Sequence, residues 1–318
     1  KIIKMKISVS DSTNFKFCSD LIKHWQKKHE VKQEIGASEL LAEWADVYYI
    51  DWIDNNIHYL LKWYKEHPQA KKPKFAVRVI DWDFWVRGVR SQELVDFVDY
   101  WICIAPHIQE RLLLEKDDQT GLPIQWGDKL RLIRPGVNLG KFTIRQKETD
   151  GYQIGMVLGD MWWYKNHMAG LDLFAELDSD YHLHIRGNHE PQAGDYNRLM
   201  YEHFIKSRGL ENKVTLYPFQ DNMDLWYENI NILLHPGMKE TFCYAVGEAL
   251  AKGIQPVVNN FYGAEEIWPK KWLYNNGGDA MNAIMAGDED TPEGRRQFII
   301  DNYSNEKMFK EIDTLLGL

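Results

Sequence analysis

Cysteine is scarce: the 318 residues hold three, Cys18, Cys103 and Cys243, widely spaced and with no C-x-x-C among them. That count and spacing speak against a disulfide framework and a cysteine-based zinc site, and fit a reducing, cytoplasmic setting. Long apolar runs are missing too. No stretch approaches the roughly 18 to 20 apolar residues of a membrane span, so an integral membrane protein is not expected. The first ten residues interleave Lys1, Lys4 and Lys6 with Ile and Val, which reads as a strand and lacks the continuous apolar stretch of a secretion signal. Positive charge is in deficit: the formal net charge is -9, with the first 140 residues close to neutral and the acidic excess in the remainder. Broad adhesion to duplex nucleic acid or anionic lipid is therefore disfavoured. A local basic cluster, Lys23, Lys27, Lys28 and Lys32, reads as a solvated helix end. No internal repeat recurs, which speaks against a solenoid or propeller.

What the chain has in plenty is alternation. Strand-like stretches at residues 4–10, 47–50, 74–80 and 130–133 are interleaved with helix-like stretches at 15–26, 55–66 and 92–100. The order restarts with strands at 152–158, 181–185 and 213–217 and helices at 170–177 and 196–206. Such alternation predicts an α/β protein with parallel sheets wrapped by helices. The length suits two domains. The turn Arg134-Pro135-Gly136-Val137-Asn138 and the polar segment 143–151 mark the link between them, giving an expected first domain over 1–142 and a second over 151–292. Thr291-Pro292 reads as an N-cap and first-turn pair, and Ser304 caps a last helix carrying Met308, Phe309, Ile312, Leu315 and Leu316. Residues 293–318 are thus a helical tail.

One stretch carries more chemistry than the rest. From Pro236-Gly237-Met238-Lys239-Glu240 onward, apolar residues at 242, 245, 246, 249 and 250 follow helical spacing, with Thr241 a plausible N-cap. Gly253 suits a left-handed helix end, Lys252 lies at the negative end of the helix dipole, and residues 254–258 read as a buried strand. The first amides, those of Phe242, Cys243 and Tyr244, then point out of the helix and form a cradle for phosphate. Glu240 stands just before that cradle and Glu248 about two turns further along.

This segment resembles the E-x7-E stretch of retaining GT-B glycosyltransferases of the family 4-like type. The resemblance implies a GT-B fold: two Rossmann-like domains with a cleft between them and a C-terminal helix crossing back to the first. It implies that Glu240 touches a donor sugar, that Thr241, Phe242, Cys243 and Tyr244 hold a diphosphate, and that Glu248 binds ribose hydroxyls. In Gly155-Met156-Val157-Leu158-Gly159-Asp160-Met161-Trp162-Trp163-Tyr164-Lys165, the family's phosphate-neutralising lysine falls on Lys165 and its arginine position on Asp160, a reversal of charge. Arg186 is the candidate to substitute. Phe219 and Gln220 would meet the nucleotide base.

The first half resembles the family only in its strand-helix order and in short segments such as 79–83 and 134–138. Where the family has a glycine-rich loop after the first strand, Ser8-Val9-Ser10-Asp11-Ser12-Thr13 stands, which implies a differently shaped acceptor side. Asp81 and Asp83, beside Trp82 and Trp85, are the acceptor-side candidates. His182, His184 and His189 can be drawn as a metal site, but the resemblance implies a metal-independent enzyme without a cofactor. The expected reaction is transfer of a hexosyl group, with retention, from a UDP- or GDP-linked sugar to a glycan or other small hydroxyl acceptor. Two other classes remain open: a catalytically weak nucleotide- or glycan-binding protein of the same fold, and a nucleotide-sugar epimerase.

Overall fold

A computed structural model describes residues 4–11, 14–53, 55–80, 89–147, 151–159, 163–187, 197–218, 222–287 and 289–318, with only the backbone of 55, 56, 197 and 198. The chain forms two compact units, Lys1–Gly136 with Asn305–Leu318, and Val137–Ser304.

In the first unit, strands β1 (Lys6–Asp11), β2 (Glu30–Ile35), β3 (Val47–Asp51), β4 (Lys74–Val79), β5 (Tyr100–Cys103) and β6 (Leu130–Leu132) make a sheet of order β2-β1-β3-β4-β5-β6. All pairings are parallel. β3, β4 and β5 are near-continuous apolar runs, as strands covered on both faces must be. The helices α1 (Ser19–Gln26), α2 (Glu39–Trp44), α3 (Asn55–Glu66), α4 (Gln92–Phe97) and α5 (Pro106–Leu113) connect them. The helix expected at 92–100 is shorter. It stops at Val98, whose ψ of 138° is extended, and releases the buried Trp101, Ile102 and Cys103 into β5. β2 and α2 carry no apolar pattern strong enough to announce them; β2 is a largely solvated edge strand.

The last helix, α12 (Asn305–Leu316), belongs to this unit. Met308, Ile312 and Leu316 join the core formed with Leu21, Ile22 and Trp25 of α1. The Asp313 carboxylate fixes the pairing, accepting from Trp25 Nε1 and meeting His24 Nε2, each at 2.8 Å.

In the second unit, β7 (Gln153–Gly159), β8 (His182–Gly187), β9 (Val214–Tyr217), β10 (Ile232–His235), β11 (Gln255–Asn259) and β12 (Leu273–Tyr274) form a second six-stranded sheet of order β12-β11-β10-β7-β8-β9. It too is parallel throughout. Its helices are α6 (His167–Ala175), α7 (Asn197–Ser207), α8 (Met223–Tyr227), α9 (Tyr244–Ala251), α10 (Gly277–Ala286) and α11 (Pro292–Tyr303). Ile154, Met156, Leu183, Ile185 and Leu234 of the sheet close a dry core with Leu171 and Phe174 of α6. These are two Rossmann-like sheets with the C-terminal helix α12 returning to the first, the architecture of the GT-B fold.

Candidate functional site

A parallel sheet of this kind binds ligands beyond the carboxyl ends of its strands, where neighbouring strands send their connections in opposite directions. In the second unit that place lies between β7 and β10, which pair directly although the chain runs on from β7 to β8 and from β10 to β11. The loop after β7 ends in a tight turn at Trp163–Lys165; the loop after β10 runs through Pro236 and Glu240 to α9.

These two loops are tied together. The Met238 amide donates to the Tyr164 carbonyl at 2.8 Å, and Asn259 Nδ2 of β11 donates to the Gly237 carbonyl at 3.1 Å. Gly237 is required by close approach, since a Cβ there would lie 2.6 Å from His235 Nε2. The loop therefore presses onto the His235 ring and delivers Glu240 beside it.

Across the join, Lys165 Nζ pairs with Glu240 Oε1, two residues 75 positions apart. Both are largely buried, with side-chain exposures of 21% and 12%. His235 Nε2 lies 3.4 Å from the same Glu240 oxygen, an ion-pair distance without the alignment of a hydrogen bond. Burial acts to raise the Glu240 carboxyl, but the Lys165 ammonium and the His235 ring outweigh it and bring it down to about 2. Burial acts to lower the Lys165 ammonium, and Glu240 reverses this, leaving it above its ordinary value. The result is a fixed carboxylate and a cation at the mouth of a helix.

Helix α9 starts later than the sequence pattern suggests. Its N-cap is Cys243, at φ 64° and ψ 83°, rather than Thr241, and no side chain caps it. The amides of Val246 and Gly247 both bond the Cys243 carbonyl, so the helix ladder begins there and the amides of Tyr244 and Ala245 precede it. Thr241 and Phe242 are buried, Phe242 against Trp268 and Tyr303. The cradle of first-turn amides is thus shifted by two residues from the reading at Phe242, Cys243 and Tyr244.

Glu248, half-buried on α9, has a partner that the sequence does not announce. The hydroxyl of Tyr227, fully buried on α8, lies 3.0 Å from both Glu248 Oε2 and the Ala245 carbonyl and has one proton to donate between them. Arg186, the penultimate residue of β8, is buried, with Nη1 donating to the Asn222 carbonyl at 3.3 Å. The far end of α9 is anchored as well. Gly253 takes the left-handed φ of 77° foreseen for it, and Arg295 Nη1 donates to its carbonyl at 2.7 Å. Arg296 Nη1 donates to the Ala251 carbonyl, also at 2.7 Å. Lys252 does more than complement a dipole: it is buried and bonded to Asp224 and Glu228, at 2.5 Å each.

Asp81, Asp83, Trp82, Trp85, Asp160, Phe219, Gln220 and His189 lie outside the described residues. His182 and His184 are engaged within the sheet: His182 Nε2 with Thr215 Oγ1 at 2.7 Å, and His184 with the Tyr217 hydroxyl at 2.9 Å and Gln153 Oε1 at 2.7 Å. A different trio, His235, Glu240 and Cys243, places donor atoms within 4.8 Å of one another, as do Asp11, Cys18 and Asp51 in the first unit. There Asp11, Asp51 and Arg78 are opposite one another across β1, β3 and β4, and Arg78 grips Asp51 at 2.5 and 2.7 Å. This buried group stands at strand ends, where a sequence reader sees only isolated charges.

The model of the family described as glycosyl transferases group 1 matches residues 141–271, inside the second unit. No curated protein matches the sequence. Among solved structures, Anabaena HepE in complex with UDP-glucose superposes with a TM-score of 0.74 at 14% identity, over 99% of this chain and 100% of that one. A glycosyltransferase from Rickettsia africae gives 0.72 at 15% identity over 98% of both chains. The lipopolysaccharide outer core galactosyltransferase WaaB gives 0.65 at 17%, over 98% of this chain and 99% of that one. At such identities the likeness is one of fold, and the fold is GT-B. No described helix is long and apolar enough to cross a membrane.

Proposed function

We propose that the chain is a retaining glycosyltransferase that takes a hexose from a UDP- or GDP-linked donor and passes it to a glycan or another hydroxyl acceptor. The observation that carries this reading is the Lys165–Glu240 pair, assembled from two distant loops at the mouth of α9, with Glu248 further along the same helix. The matched family model supports it, and the fold shared with HepE, solved with UDP-glucose, favours a uridine nucleotide.

In this reading the diphosphate lies against the first-turn amides of α9, which carry positive partial charge and need no proton to do so. An ammonium has three donors, so Lys165 can hold Glu240 and still offer hydrogens to phosphate oxygens. As the bond between the anomeric carbon and the diphosphate breaks, charge grows on the leaving oxygen, and preorganised donors in a half-dry site stabilise it more than water does. Glu240, held ionised, positions the sugar. Glu248, oriented by Tyr227, accepts from the ribose hydroxyls. Phe219 and Gln220 meet the base, and Arg186 adds positive charge where Asp160 replaces the family's arginine. The acceptor hydroxyl adds its oxygen to the anomeric carbon and gives its proton to the departing phosphate. No metal or cofactor is called for by this scheme.

The test is a transfer assay with radiolabelled UDP- and GDP-sugars on a glycan array. Label appearing in an acceptor supports the reading. Isomerised donor without transfer identifies an epimerase, and nucleotide binding with neither outcome identifies a binding protein.

A further inference from the structure

The second unit contains a row of four side chains in the order thiol, imidazole, carboxylate, ammonium. Cys243 Sγ lies 3.5 Å from His235 Nδ1; His235 Nε2 lies 3.4 Å from Glu240 Oε1; and Glu240 pairs with Lys165. The transfer chemistry above uses the carboxylate and the ammonium. It has no use for the thiol or the ring. The imidazole has the thiol on its Nδ1 side and the carboxylate on its Nε2 side. The row has the form of a nucleophile beside a base, with a carboxylate at ion-pair distance on the base's far side.

The other two cysteines have no such neighbour in their hydrogen bonds. Cys18 Sγ donates to Asp11 Oδ2 at 3.6 Å and Cys103 Sγ to the Arg131 carbonyl at 3.2 Å, partners that favour the protonated thiol. Burial raises both thiols, Cys103 to about 12. Cys243 is 8% exposed and stands at the start of the eight-residue helix α9, whose dipole favours negative charge. It also keeps a left-handed backbone that glycine would adopt without steric cost. Burial disfavours a charged His235, but the Cys243 sulfur and the Glu240 carboxylate on either side raise the ring to about 9. The ring is therefore held charged at neutral pH, with its Nδ1 3.5 Å from the sulfur.

We propose that Cys243 is a modification site, an activated thiol that reacts with small electrophiles and with peroxide, and whose modification obstructs the mouth of α9. With peroxide, the sulfur bonds one oxygen as the O–O bond breaks. The departing hydroxide takes the proton from His235 Nδ1 and leaves as water, and the sulfur, oxidised by two electrons, becomes a sulfenic acid. With methyl methanethiosulfonate, a disulfide to a methylthio group forms and methanesulfinate leaves. The thiol claim stands on geometry alone; the obstruction claim rests on the nucleotide-donor reading.

The experiment is pulse labelling of the whole chain with methyl methanethiosulfonate at pH 7, native and in urea, with each cysteine followed by peptide mass spectrometry. Folding can only reduce access, so a thiol that reacts faster folded than unfolded is activated. Cys243 should react at least about fivefold faster in the native protein than in urea, while Cys18 and Cys103 react more slowly. His235→Gln should remove the acceleration. If that variant does not fold, the native-versus-urea comparison decides alone, and a native Cys243 no faster than the unfolded one overturns the proposal. In a second arm, the labelled protein should bind UDP at least about tenfold more weakly than the unlabelled protein. Equal affinity overturns the obstruction claim. An unlabelled protein that binds neither UDP nor GDP sinks the donor reading and the obstruction claim with it, and leaves the thiol result standing.

Discussion

Replacing Glu240 by glutamine keeps the side chain's size and removes its charge, which isolates what the carboxylate contributes. In the native protein Lys165 and His235 overcome the effect of burial and bring the carboxyl from 4.5 down to about 2. A depression of that size corresponds to about 3 kcal/mol of preference for the ionised form in the folded state. The folded value lies below the unfolded one, so this stability is fully present above pH 4.5 and is lost as the pH falls toward about 2. Glu240→Gln should therefore lower the stability of the second unit at pH 6 by up to about 3 kcal/mol, less whatever the amide regains by hydrogen bonding. The difference from the native protein should shrink as the solution is acidified below pH 4.5. Urea unfolding across this range measures both effects. Turnover, measured in the transfer assay under native conditions, should fall at least about tenfold, or about 1.4 kcal/mol of transition-state stabilisation. A variant as stable as the native protein, or a stability difference that does not change with pH, would refute the reasoning.

The opposite limb belongs to His235, whose value is raised from 6.5 to about 9: its contribution is full below pH 6.5 and is lost as the pH rises through about 9. The urea midpoint should decline over that interval in the native protein and stay flatter in His235→Gln. The effects of the two substitutions should not add, since both remove the same contact. Glu248→Ala should weaken binding of the free nucleoside diphosphate, measured by calorimetry, because it leaves the ribose hydroxyls unpaired, and Tyr227→Phe should do so to a lesser degree by releasing the carboxylate. An unchanged dissociation constant in Glu248→Ala would make that residue an ordinary helix-face glutamate. Activity should persist in EDTA, since Lys165 and the α9 amides supply the positive potential; loss restored by a divalent ion would overturn this.

The loop, helix and strand from Pro236 to Val258 can be read from the sequence because each part has a local cause: helical spacing of apolar residues, a glycine at a left-handed end, a short apolar run. What escaped was non-local. Tyr227 orients Glu248 from a different helix, and His235 gains its meaning only when Gly237 lets the loop fold back on it. Cys243 takes the left-handed N-cap position although cysteine has no preference for it, which moves the helix start away from Thr241. In the first unit the helix expected at 92–100 runs over into Tyr100, the first residue of β5, since Leu94, Val95 and Val98 suit helical spacing until the backbone at Val98 turns extended, and the short run 101–103 shows no period of its own. The edge strand β2, Glu-Val-Lys-Gln-Glu-Ile, has too little apolar surface to show a period.

The claim on which the account rests is that the mouth of α9 holds the diphosphate of a sugar donor with Lys165 beside it. Titration calorimetry of UDP-, GDP-, ADP- and TDP-sugars into the native protein and into Lys165→Ala tests it directly. At least one of these should bind the native protein, and the substitution should weaken it at least about tenfold. Binding of none of the four, or equal binding to both proteins, would contradict it.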